Sequence, residues 1–188
     1  MLRAMRFVEV TLEAPAALVP ELERFYDGIT GETTLQWRAA EGDPFYHFAL
    51  LLPGDRFEAA HAWADERFDL VGDVFRFENW DARAVYFHDP AGNIVELIAH
   101  RGLEENGREG AFASAEIVGF SELGVVGNRE ENLRISRLPL WSGTIDDPAS
   151  LGFAGEKGRT LILAEEGRGW LPTGRPAEAH PVEFELLR

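Results

Sequence analysis

Between Ala84 and Ile98 the chain reads Ala-Val-Tyr-Phe-His-Asp-Pro-Ala-Gly-Asn-Ile-Val-Glu-Leu-Ile, two alternating apolar runs joined by Asp89-Pro90-Ala91-Gly92-Asn93. Apolar residues at period two on both sides of a turn rich in Asp, Pro, Gly and Asn specify a pair of neighbouring strands. The second run carries an isolated acid. Successive side chains of a strand point to opposite faces, so Glu96 shares a face with Ile94 and Ile98 while Val95 and Leu97 point the other way. A carboxylate on a largely apolar surface requires a partner.

The preceding residues supply more of the same architecture. Phe7 to Leu12 alternates, with Val8, Val10 and Leu12 on one face, and Leu18, Leu22, Phe25 and Ile29 then recur at helical spacing, with Pro20 in the opening turn. A weaker strand around Thr33 to Arg38 is followed by Phe45 to Leu52, which reads as a buried strand bounded by Pro44 and Pro53-Gly54. Asp55 with Glu58 makes a capping-box-like start for a second helix, whose inner stripe is Phe57, Ala60, Ala64 and Phe68. Strands near Val74 to Phe77 and Arg83 to His88 complete the order β-α-β-β-α-β-β-β. Residues 101–114 are rich in Gly and Glu, lack apolar periodicity and read as a linker. Beyond it the pattern echoes: Phe120-Ser121-Glu122-Leu123 repeats Phe7-Val8-Glu9-Val10, and Phe184-Glu185-Leu186-Leu187 repeats Val95-Glu96-Leu97-Ile98. Asn128 with Glu131 marks another helix start, and Arg159 to Leu163 another strand. The second spacing is shorter than the first, so the expected organisation is a module over residues 1–100, a linker over 101–114 and an abbreviated module over 115–188. The turn-rich Glu165 to Pro172 is positioned to fold over the sheet's concave face.

Composition narrows the function classes. Thirty-three acids against eighteen bases give a formal charge of −15, which opposes attraction to nucleic acid or an anionic membrane and favours cationic or metal-bearing ligands. With no cysteine there is no disulfide, thiolate ligand or Cys nucleophile. The opening Met1-Leu2-Arg3-Ala4-Met5-Arg6 has no apolar signal core and no run reaches membrane-spanning length, so a cytoplasmic location is the expectation. No phosphate-cradling Gly loop, Ser-His-Asp set or zinc-protease motif is present.

The aromatic strand, the Asp-Pro-x-Gly-Asn turn and Val95-Glu96-Leu97 together resemble the terminal hairpin of the vicinal oxygen chelate superfamily, which includes glyoxalase I, extradiol dioxygenases, bleomycin-resistance proteins and methylmalonyl-CoA epimerase. The resemblance implies an α+β fold of paired βαβββ modules, the second abbreviated, whose curved sheets form a cup for small ligands, often completed across a homodimer. If Val8, Val10, Leu12, Phe48, Leu50, Leu52, Val95 and Leu97 pack under the helices, strand parity places Glu9, His47 and Glu96 together on the opposite face. Glu9, in Glu9-Val10-Thr11-Leu12, stands where metal-binding relatives commonly read His-Val-Thr-Leu, His47 where dioxygenases carry a second ligand, and Glu96 where the last carboxylate falls. The resemblance thus implies a divalent-metal triad of Glu9, His47 and Glu96 suited to Mn²⁺, Fe²⁺, Zn²⁺ or Ni²⁺. Replacement of one His by Glu departs from the two-His, one-carboxylate set on which iron-dependent dioxygen activation in that family rests. The glyoxalase I pattern implies a second set, Glu9, Glu96, Glu122 and Glu185. The triad is preferred because the second module has no counterpart to His47, Thr160 falling near that place.

Two function classes follow. The first is a metal-dependent lyase, isomerase or dioxygenase that captures vicinal substrate oxygens, with Glu9 or Glu96 as proton shuttle. The second is a metal-free protein of the bleomycin-resistance type that holds a small, cationic molecule. Each residue also has a plainer role open to it. Glu9 and Glu122 can be strand acids paired with Arg83 or Arg168, and His47 a hydrogen-bonded core residue. Arg168 and Trp170 either line the substrate pocket or plug a small core. His61, His88, His100 and His180 read as structural or solvated.

Overall fold

The computed structural model describes residues 5–188. In chain order the elements are β1 (Arg6–Pro15), α1 (Val19–Phe25), β2 (Thr34–Ala40), β3 (His47–Leu52), α2 (Phe57–Asp65), β4 (Phe75–Phe77), β5 (Ala82–His88), β6 (Ile94–His100), β7 (Gly119–Val126), α3 (Arg129–Ser136), β8 (Leu140–Gly143), β9 (Gly152–Glu156), β10 (Arg159–Ala164) and β11 (Glu183–Leu187). Over the first hundred residues this is the order read from the sequence.

An eight-stranded mixed sheet runs β4-β5-β6-β3-β7-β10-β9-β8. One half is β3-α2-β4-β5-β6 and the other β7-α3-β8-β9-β10, two βαβββ units that meet where β3 pairs antiparallel with β7. In each unit the first strand lies parallel to the last, β3 against β6 and β7 against β10. The sheet ends on short strands, β4 and β8, which offer little unpaired backbone to another chain. A separate three-stranded sheet runs β11-β1-β2. The units of the large sheet therefore begin at His47 and Gly119, and β1, α1 and β2 form an additional layer that β11 completes.

Two apolar clusters occupy the two faces of the large sheet. Val10 and Leu12 share one cluster with Phe48, Leu50, Leu52, Val95, Leu97 and the inner stripe of α2. Phe7 and Phe48 both pack on Phe120, at ring separations of 6.3 and 5.0 Å. β1 thus lies across the helix-covered face. A register shift between Phe7 and Glu9 lets Phe7 join Val10 and Leu12 in that core, which strict alternation from Val8 does not foresee. The opposite face gathers Phe45, Ala49, Ala84, Tyr86, Ile94, Ile98, Ile162 and Trp170.

The Asp89 to Asn93 turn follows from its sequence. Gly92 takes φ +79°, and the Asp89 carboxylate accepts bonds from the backbone N–H groups of Ala91 and Asn93 at 2.9 and 3.0 Å. Its second oxygen accepts from Asn93 Nδ2 and from the Tyr26 hydroxyl, which ties the turn to the end of α1. Asn128 caps α3 as expected, accepting from Glu131 N. Asp55 does not cap α2. Its carboxylate accepts instead from the N–H groups of Asn106 and Gly107, anchoring the connection between the two units.

Candidate active site

β6, β3 and β7 are adjacent strands, and their register puts Glu96, Ala49 and Glu122 in one row across the sheet. The row extends to Tyr86 of β5 on one side and Thr160 of β10 on the other. Between the two acids stands only the Ala49 methyl, so both side chains have room to converge above β3. His47 precedes Ala49 by two residues and projects from the same face. Its Nε2 lies 3.6 Å from Glu96 Oε2.

These groups are buried: His47 is 5 % exposed, Glu122 3 % and Glu96 2 %. His47 Nδ1 sits 3.1 Å from the carbonyl oxygen of Ile94. Because a carbonyl only accepts, Nδ1 carries the proton and Nε2 presents a lone pair to the cavity. Burial, aided by the Arg168 charge and opposed by the Ile94 bond, lowers the imidazole to about 4, so it is neutral at neutral pH. Glu96 is pushed well above the usual carboxylate range by burial first and by Glu122 second. Burial raises Glu122 to about 8. One Glu96 oxygen, Oε1, and the Thr160 hydroxyl are enclosed without a hydrogen-bond partner. Burial foremost, with Glu96 and Glu122 beside it, drives the Tyr86 phenol far above its ordinary value, keeping it a proton donor.

A loop closes the cavity. Residues 165–177 fold as a tight excursion with Trp170 at its inner end, 4.9 Å from the His47 ring. Trp170 seats against Gly124, where an added Cβ would stand 3.2 Å from the indole and 2.8 Å from the His47 carbonyl. Gly124 gives that close approach its room. Phe77, Trp80, Phe153, Leu151 and Ile162 complete the apolar wall, Arg168 stands at the rim, and the enclosed space is only about 50 Å³.

Of the residues singled out from sequence, His47, Glu96, Arg168 and Trp170 meet in this cavity, and Glu9 does not. Glu9 pairs in register with Glu185 in the three-stranded sheet and accepts a bond from Gln36 Nε2 at 2.8 Å. Parity assigned it a face, but β1 belongs to a different sheet packed against the opposite side. Glu122 takes the place expected of Glu9. The signal that finds it is the second strand–helix pair: His47-Phe48-Ala49 ahead of α2 and Glu122-Leu123-Gly124 ahead of α3 open corresponding units. Of the four-glutamate set, Glu96 and Glu122 come together while Glu9 and Glu185 stay in the other sheet.

Among the described residues, no three of His, Asp and Glu stand close enough to hold one ion as the side chains are placed. The donor chemistry nevertheless suits a divalent cation. A free imidazole nitrogen, an unpartnered carboxylate oxygen and a second buried carboxylate line one cavity, and a cation removes the cost of burying both acids ionised.

Neither a protein-family model nor a curated protein matches this sequence. Solved structures do. A protein assigned as a dioxygenase from Bacillus subtilis subsp. subtilis str. 168 aligns over 98 % of this chain and 71 % of its own, at 14 % identity and a TM-score of 0.55. Glyoxalase I from Zea mays aligns over 86 % of this chain and 67 % of its own, at 10 % identity and a TM-score of 0.52. With two βαβββ units sharing one curved eight-stranded sheet, the chain has a glyoxalase/dioxygenase-like fold.

Proposed function

We propose that this protein is a divalent-metal-dependent enzyme that acts on a small oxygen-rich molecule in the cavity beneath Trp170, with His47, Glu96 and Glu122 holding the ion. The observation that carries the reading is the pairing of two buried carboxyl side chains with an imidazole whose Nε2 is free. Glyoxalase I and a protein assigned as a dioxygenase share the fold, and this supports the class without choosing the reaction. When bound, the ion supplies Lewis-acid polarisation of neighbouring substrate oxygens.

The chain's own groups then have defined tasks. The Ile94 carbonyl holds the His47 ring and fixes its tautomer. Glu96 Oε1, free of any hydrogen bond, is the oxygen available to take a substrate proton, and the Tyr86 phenol opposite it stays protonated and donates. The loop over residues 165–177 covers the cavity and limits the entry of water. A metal-free binding protein is the second reading, favoured by the absence of three assembled donors among the described residues.

Metal content separates them. Protein purified without a tag or chelator and loaded with Mn²⁺, Ni²⁺ or Zn²⁺ is expected to retain near-stoichiometric metal, as is Glu9→Gln, whereas His47→Ala, Glu96→Gln and Glu122→Gln lose it. Metal-free wild type after loading would overturn the enzyme reading.

A further inference from the structure

The ligand's class can be read from what now fills the cavity. The space of about 50 Å³ admits a water molecule or two and no organic substrate, which ordinarily requires several hundred Å³. What occupies the remainder is the protein's own indole, lying against His47 and over Gly124, with Trp80 edge-on to Phe153 forming the facing wall.

The loop carrying that indole is bonded mainly to itself. Gly167 N donates to Ala177 O, Ala177 N to Arg168 O, Trp170 N to Arg175 O and Gly174 N to Trp170 O, all at 2.7 to 2.8 Å. Its links to the body at the tip are long and come from two arginines, Arg168 Nε to Ala149 O and Arg175 Nη1 to Gly92 O, both 3.4 Å, together with Arg175 over the Phe45 ring. At its base Arg129 Nε donates to Glu165 at 3.1 Å, and Trp170 and Ala177 are held by apolar packing, so the internal bonds let the tip move as one piece about that base once a ligand replaces the packing of the indole.

The charge of the cavity is set by Arg168. Among the described residues, it is the one Lys or Arg side chain that lines the cavity. Arg168 bonds through its guanidinium only to the carbonyl oxygens of Ala149 and Gly169 and, among the described residues, forms no ion pair. In a chain with fifteen excess acids, a guanidinium at a cavity rim left without a carboxylate is a site for an anion brought by the ligand.

We propose that the cavity takes a flat aromatic anion, whose ring displaces the Trp170 indole and whose carboxylate or equivalent group pairs with Arg168. The inference rests on the proposed function only in placing the ligand in the same cavity. Charge and ring shape are therefore tested directly, by titrating 2-naphthoate, cyclohexanecarboxylate and the 2-naphthylmethylammonium cation into the metal-loaded and chelator-treated protein and following tryptophan fluorescence and binding heat. 2-Naphthoate is expected to bind and to change the fluorescence, while the saturated acid and the cation bind at least tenfold more weakly. Arg168→Gln weakens 2-naphthoate about tenfold, Arg168→Lys recovers part of the loss, and Trp170→Gly tightens binding several-fold by removing the competing ring. Stronger binding of the cation, or 2-naphthoate affinity unchanged in Arg168→Gln, a rim variant expected to fold, overturns the proposal. Binding without retained metal leaves this inference standing and removes the metal reading; retained metal without 2-naphthoate binding does the reverse.

Discussion

At the residue scale, the two buried acids of the cavity make stability depend on pH, and substitution of one of them identifies their share. In protein freed of divalent ions, burial holds Glu122 near 8 and Glu96 well above 4.5, so the folded state keeps protons that the unfolded chain releases. The stability they contribute is complete below 4.5 and is lost as pH rises toward 8. His47 and His100 are shifted oppositely, both to about 4 by burial, so their cost to the fold grows only as pH falls below 6.5. Between 6.5 and 8 the carboxyl groups alone remain, and urea unfolding should show stability falling by up to about 1.4 kcal/mol per pH unit for each proton lost. Glu122→Gln flattens this slope, and a bound divalent ion removes it. Sequence parity brings His47 and Glu96 together because period two fixes which face a side chain takes. It does not say which sheet a strand joins, and for that reason it does not reveal that Glu9 lies in the three-stranded sheet.

At the element scale, the Asp89 turn is a junction of β5, β6 and α1 rather than a simple hairpin loop. Four donors converge on the Asp89 carboxylate: Tyr26 Oη, Asn93 Nδ2 and the backbone N–H groups of Ala91 and Asn93. Asp89→Ala leaves them unpaired in a buried site, with an expected loss of about 3 kcal/mol in denaturant unfolding. The turn was legible because Asp, Gly and Asn each do there what their chemistry favours. The cap assigned to Asp55 was not, since the same carboxylate finds donors in residues about fifty positions away and sequence spacing carries no such information. The unit boundaries were obscured similarly: β1 has a good strand pattern, and only the pairing of β3 with β7 reveals that the large sheet starts at His47.

At the scale of the whole molecule, net charge favours a cationic ligand, whereas the cavity itself presents Arg168, which among the described residues forms no ion pair, beside Glu96 and Glu122. Total charge describes the outer surface, which screening confines to short range, and not an enclosed site. The connection between the two units is held by Arg56, buried in an ion pair with Glu116 at 3.0 Å and donating to the carbonyls of Arg108, Gly110 and Ala111. Arg56→Met strands the buried Glu116 and is expected to cost about 3–5 kcal/mol, with faster proteolysis across residues 104–112 as the accompanying sign. The three-stranded sheet has a consequence in time. β1 is flanked on one side by β2, the next strand in the chain, and on the other by β11, the last. During synthesis the β11-facing edge of β1 stays open until residues 183–187 have been made, so β1 is fully paired long after it is made, and it is on this edge that a nascent chain needs shielding.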